Sequence, residues 1–211
     1  MKRNVRILSR LLAAVILLTA VFLSACGKKD AIRETREILS AADNLTFTYT
    51  IEGRESTDRL ALYYVLSATK DVWSEESVLG VTYGVSGADG VTVWEAAGDT
   101  YVPSRSYTQA EYAELTRGAE STYGRFLSYL TPDAWEWSRK REAFVLKDYD
   151  MFASLGMELT DMELAITGRT CTIMGKGVKM DGTARYPVVI TMAVTGIDET
   201  TITLPTDITD N

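Results

Sequence analysis

Residues 45–52, LTFTYTIE, alternate without a break: Leu45, Phe47, Tyr49 and Ile51 point one way, Thr46, Thr48, Thr50 and Glu52 the other. One apolar and one polar face at period two make a half-buried antiparallel strand. The period returns in residues 59–68 with Leu60, Leu62, Tyr64 and Leu66 in phase, and in residues 78–86 with Leu79, Val81, Tyr83 and Val85. Residues 70–77 between them are ambiguous. Asp89-Gly90 is a hairpin signal, and residues 91–96 and 100–103 give a fourth strand and room for a fifth. Further on, Met162, Leu164 and Ile166 alternate with Glu163, Ala165 and Thr167, and residues 169–179 form the next strand. Asp181-Gly182 marks a second hairpin. Tyr186, Val188, Ile190, Met192 and Val194 then hold period two, residues 196–199 turn the chain, and residues 200–204 are expected to close the sheet before Pro205.

Helical spacing takes over in two places. Asp30 is placed to cap a helix over residues 31–42, where Ile32, Ile38, Leu39 and Ala42 share a side. In the middle of the chain Thr108-Gln109-Ala110-Glu111 has the form of a capping box, with the acid three residues after the hydroxyl. Residues 120–130 carry Tyr123, Phe126, Leu127 and Leu130 as one stripe, and Thr131-Pro132 stops the run. Trp135 and Trp137 share a face of a short strand, and residues 148–155 have room for one or two helical turns.

The order is helix, antiparallel strands, helical insertion, antiparallel strands. It predicts a single α+β domain over residues 31–205, with residues 206–211 as a polar tail. A sheet of this many strands curls. The expected fold is therefore a curled antiparallel β-sheet, a half barrel, with helices packed on its concave face.

The first 25 residues obey different rules. Lys2, Arg3, Arg6 and Arg10 precede an apolar run over residues 11–23 that only Thr19 interrupts, and small residues Ser24 and Ala25 stand before Cys26. A basic start, an apolar stretch too short to span a bilayer and a small-residue cleavage site make a secretory signal peptide. Leu23-Ser24-Ala25-Cys26 also resembles a bacterial lipobox. That resemblance implies cleavage before Cys26, lipidation of its sulfur, and anchoring of the domain outside the cytoplasm by residues 26–30, the lipidated Cys and a short tether. Two or three acyl chains make a stable anchor, at about 0.8 kcal/mol per buried methylene.

Charge and composition exclude more than they assign. The full chain has a net charge of −7, and removal of residues 1–25 takes four basic residues and no acid, leaving −11. An acidic body lacks the positive face that nucleic acid demands. With Cys26 consumed by lipidation, Cys171 has no partner for a disulfide, and its strand pattern makes it a small core residue. Histidine is absent, which removes the His-dependent nucleophiles and the commonest zinc ligand. No phosphate-binding glycine loop or hydrolase elbow occurs. The acid pairs Glu75-Glu76, Asp148-x-Asp150 and Asp198-Glu199 fit solvated surface better than a calcium loop. No enzyme activity, metal or cofactor is expected.

The lipobox, the first helix followed by residues 45–52, the mid-chain helices and the ending Ile202-Thr203-Leu204-Pro205 together resemble the bacterial lipoprotein-carrier superfamily, the LolA/LolB-like and LppX-like half barrels. Those proteins hold acyl chains between a curled sheet and its helices. The resemblance implies an anchored protein that binds or carries a lipid or other apolar ligand in the cell envelope. Phe47, Tyr49, Tyr64, Tyr83 and Trp94 would line the sheet, Tyr123 and Phe126 would stand opposite on the helix, and Met192 would add an adaptable surface. The same aromatics pack a core equally well. The alternative is then a non-catalytic module that serves an envelope protein partner and holds no small ligand. The discriminator is whether the space between sheet and helices is open or filled.

Overall fold

The computed structural model describes residues 27–54, 59–168, 170–181 and 184–208. The signal segment, Cys26 and Gly182 lie outside them. Residues 27–41 form helix α1, so residues 27–30, read as part of a tether, are its first turn and Asp30 lies within the helix. Eleven strands follow among the described residues: β1 (Leu45–Arg54), β2 (Arg59–Ala68), β3 (Val72–Ser77), β4 (Gly80–Gly87), β5 (Gly90–Ala97), β6 (Thr100–Tyr107), β7 (Trp135–Ser138), β8 (Ala143–Leu146), β9 (Met157–Thr167), β10 (Thr170–Asp181) and β11 (Ala184–Ile197). Between β6 and β7 come helices α2 (Gln109–Arg117) and α3 (Thr122–Tyr129) and a 3-10 turn over Pro132–Ala134. A longer 3-10 segment, Tyr149–Leu155, joins β8 to β9.

All eleven strands belong to one sheet in the order β6-β5-β4-β3-β2-β1-β11-β10-β9-β8-β7. Every pairing is antiparallel. The sheet is open and curled, with β6 and β7 as its edges. Bulges between Thr46 and Phe47, between Val93 and Trp94, and near Asp161, whose φ is 51°, add bend and twist. The free edges are protected: β6 carries Pro103 and Arg105, and β7 has four residues.

This order dictates where the helices go. The chain leaves β6 at one edge and must enter β7 at the other, ten strand spacings or about 48 Å away along the sheet. Residues 108–134 make the crossing over one face. The α2 residue Tyr112 packs on Trp73 of β3, at 5.2 Å between ring centroids, and Phe126 of α3 packs on Phe47 of β1, at 5.0 Å. Local signals fix the ends. Thr108 and Glu111 form the expected capping box, and Ser121 caps α3 by accepting from Gly124 N–H at 2.9 Å.

Registers assign the two faces of the sheet. Leu45, Phe47, Tyr49 and Ile51 share the inner, helix-covered face with Tyr64, Leu66 and Trp73, and with Met192, Ile190, Ile173 and Leu164 on the other side of β1. The buried cluster runs from Ile32 to Ile197 along the chain, so residues 27–208 carry a hydrophobic core of their own. Helix α1 closes onto it. Ile32 and Leu39 are fully buried, Tyr123 donates to the Leu39 carbonyl at 2.8 Å, and the Lys28 ammonium lies 3.3 Å from the centroid of the Trp137 ring.

The chain after β11 departs from expectation. Residues 201–205 add no strand. Asn44 and Thr200 bond reciprocally, Thr200 N–H donating at 2.9 Å and accepting through its carbonyl at 3.2 Å, and the Thr200 hydroxyl meets that of Thr46 at 2.9 Å on the outer face. Asp207 then accepts from the Tyr101 N–H of β6. From β1 to β6 is five spacings, about 24 Å, and seven extended residues cover the same length. The segment is a strap that reaches the free edge of β6, and Ile208 is buried at its end outside the inner cluster. The sheet already had its closing partner: β11 sits against β1, and no strand position beside it remained.

Candidate functional site

Three regions divide the inner face. In the centre Phe47, Tyr123 and Phe126 are all 0 % exposed and form one aromatic cluster, with Phe47 edge-on to Tyr123 at 5.3 Å. Tyr64 joins the rim of that cluster, 6.5 Å from Phe47. Side chains fill this part of the groove. Cys171 is buried on the same face, and burial pushes its thiol up to about 12.

Towards β6, helix α2 covers a carboxyl. Glu75 faces inward from β3 and accepts from the Tyr64 phenol at 3.0 Å and from the Tyr112 phenol. Burial raises its pKa above the usual carboxylate range, against the opposing pull of the two phenol hydrogen bonds. Burial first, and the Glu75 charge second, raise the pKa values of both tyrosines as well. Glu76 points to the other face, where it accepts from Tyr63 at 3.0 Å. Adjacent strand residues face opposite ways, so Glu75 and Glu76 make no acid–base pair. Among the described residues no group of three or more acids and thiols is set to hold a metal ion.

Towards the Ile51 end of β1 the groove is open. A cavity of about 260 Å³ lies between α3, the 3-10 segment and strands β1, β11, β10 and β9. Its floor is Tyr49, Ile51, Met157, Leu155 and Met192. Tyr49 and Met192 are register partners across β1 and β11, as are Lys179 and Met157 across β10 and β9. The helix contributes Thr122, Arg125 and Tyr129, one stripe at i, i+3 and i+7. Among the described residues of the lining, Arg125 and Lys179 bring the only formal charges, and both are positive.

Tyr129 is held hard. Its ring stacks on Phe152 at 4.1 Å, and the Trp135 indole N–H donates to its carbonyl at 2.8 Å. It is 3 % exposed, and its phenol oxygen is buried without a hydrogen-bond partner among the described residues. Such an oxygen costs about 1–3 kcal/mol. Burial, then the Tyr129 phenol, push the neighbouring Tyr49 phenol up to about 12, so it stays protonated at neutral pH.

Of the residues expected to line a groove, Tyr49 and Met192 line the cavity, while Phe47, Tyr123 and Phe126 fill the face beside it. Tyr64 belongs to the Glu75 cluster. Tyr83 and Trp94 pair across β4 and β5 on the outer face, where Tyr83 packs edge-on to Tyr101 at 5.2 Å, so they share no site with Phe47. Arg125, Tyr129 and Lys179 escape a search for aromatic faces: two are charged, and Tyr129 lies outside the stripe of Tyr123, Phe126, Leu127 and Leu130. The i, i+4 spacing of Arg125 and Tyr129 beside that stripe was the available signal. A scan of the sequence against protein-family models found no match, and a search of curated proteins found none.

Proposed function

We propose that this chain is an extracytoplasmic lipoprotein, anchored to the cell membrane through Cys26, whose curled sheet holds helices on its concave side and an apolar ligand in the space left between them. Its likeness in layout to the LolA/LolB-like and LppX-like half barrels supports the reading. The observation that carries it is the cavity under α3, which the central aromatic cluster leaves unfilled and whose floor is apolar. Ligand sites have this character: concave, largely apolar, with a few polar groups converging on them.

The alternative, a non-catalytic module docking an envelope partner, draws support from that same aromatic cluster, which closes the middle of the groove. Native mass spectrometry and solvent extraction of residues 27–211, purified gently from cells without detergent, separate the two. A stoichiometric lipid or other apolar molecule is the expected result. A clean ligand-free mass, with no uptake when lipids are offered, overturns the binding reading in favour of the module. The anchor has its own test. In the full-length protein Cys26→Ser is expected to block processing and remove the lipid mass; unchanged processing and an unchanged membrane-bound fraction would refute the anchor.

A further inference from the structure

We infer that the cavity under α3 recognises a single-chain anionic amphiphile, with Arg125 and Lys179 facing its charged head and the Tyr129 hydroxyl donating to it. This rests on the apolar-ligand reading and names the ligand class.

Charge is the first argument. Acids outnumber bases 29 to 22 in this chain, yet among the described residues the cavity lining holds two cations and no carboxylate. Neither cation is firmly engaged. Lys179 has no ion pair among the described residues, and Arg125 meets Glu120 at 3.5 Å with both side chains largely exposed, a contact worth little. A ligand anion replaces it readily.

The second argument is the orphaned phenol. The Tyr129 ring is stacked on Phe152, its hydroxyl is shut off from water, and nothing among the described residues accepts from it. A buried donor kept in a fixed place without a partner is satisfied when a ligand supplies the acceptor. Size is the third. At about 260 Å³ the space is below the roughly 300–1,000 Å³ of sites for drug-sized ligands, which suits one acyl chain rather than two. The floor of Ile51, Leu155, Met157 and Met192 takes the chain, and the two methionines adapt to its shape.

A carboxylate and a phosphate monoester share this chemistry, so the test uses three probes with one tail: decanoate, decyl phosphate and decanol, titrated calorimetrically into residues 27–211. At least one anion is expected to bind tenfold or more tighter than decanol, and the tighter anion identifies the head. In Arg125→Gln/Lys179→Gln the advantage is expected to vanish while decanol affinity holds. If that variant loses decanol too, Arg125→Lys/Lys179→Arg decides: it must keep the anion preference. Decanol binding as tightly as both anions, or a preference that survives charge removal or is lost in the charge-preserving variant, overturns the inference and leaves the apolar-ligand reading standing. Uptake of none of the three, together with a clean ligand-free native mass, overturns both.

Discussion

A β-carbon built on Gly84 would stand 2.5 Å from the phenol oxygen of Tyr112 and 2.6 Å from its ring carbon Cζ. The α2 tyrosine therefore lies directly on the backbone of β4, and Trp73 and Tyr107 hold its ring at 5.2 and 5.9 Å. The ring has no easy retreat. Gly84→Ala is expected to destabilise the fold by about 1–3 kcal/mol, the usual cost of overpacking. Gly87→Ala, where nothing but the Gly90 carbonyl comes within 4 Å, serves as control. Urea midpoints of the two variants check it.

Tyr129→Phe should separate stability from binding. Removing a buried hydroxyl that has no partner relieves its desolvation cost, so the ligand-free variant is expected to be as stable as the parent or more stable by up to about 2 kcal/mol. Affinity for the anionic amphiphile is expected to fall. Thermal melts with and without decanoate check both signs: a variant less stable without ligand would mean the hydroxyl already has a partner.

Glu75 gives the fold a pH slope. Burial raises its folded pKa above the unfolded value, so between the two values the folded protein keeps a proton that the unfolded chain releases. The stabilisation is fully present below the unfolded carboxylate value and is lost as pH rises through the folded one. Glu75→Gln is expected to flatten that fall. Denaturation midpoints measured from pH 4 upward in both proteins check it.

Cys171 should resist alkylation in the native protein. Its thiol is 0 % exposed and burial holds the pKa near 12, so thiolate is scarce and out of reach. Labelling is expected only once denaturant unfolds the sheet; rapid labelling under native conditions would contradict the burial.

The strap makes a prediction for the outer face. Ending the chain at Glu199 removes Asp207 from the Tyr101 N–H and Ile208 from its burial site. Trp94, half-buried on that face, is expected to become more accessible to acrylamide while the inner cluster survives. Unchanged quenching would place the strap elsewhere.

Much of this protein follows from the order of its residues. Period-two alternation located most strands and correctly grouped Phe47, Tyr49 and Ile51 on one face, because strand side chains alternate whatever the partner. Thr108 and Glu111 marked the start of α2 because capping is a contact between residues three apart. Residues 72–77 were illegible for a physical reason: β3 presents Glu75 inward, and only Tyr64 and Tyr112, distant in sequence, make that tolerable. Alternation states which residues share a face and never which face lies inside. Tyr83 and Phe47 read alike, and registers running through β2, β3 and β4 set them on opposite sides. The pairing of β1 with β11, the crossing of the helices from edge to edge, the strap, and the meeting of Arg125 and Tyr129 with Lys179 were decided by tertiary structure alone. Each depends on contacts between residues about 40 to 156 positions apart, and no local pattern encodes those.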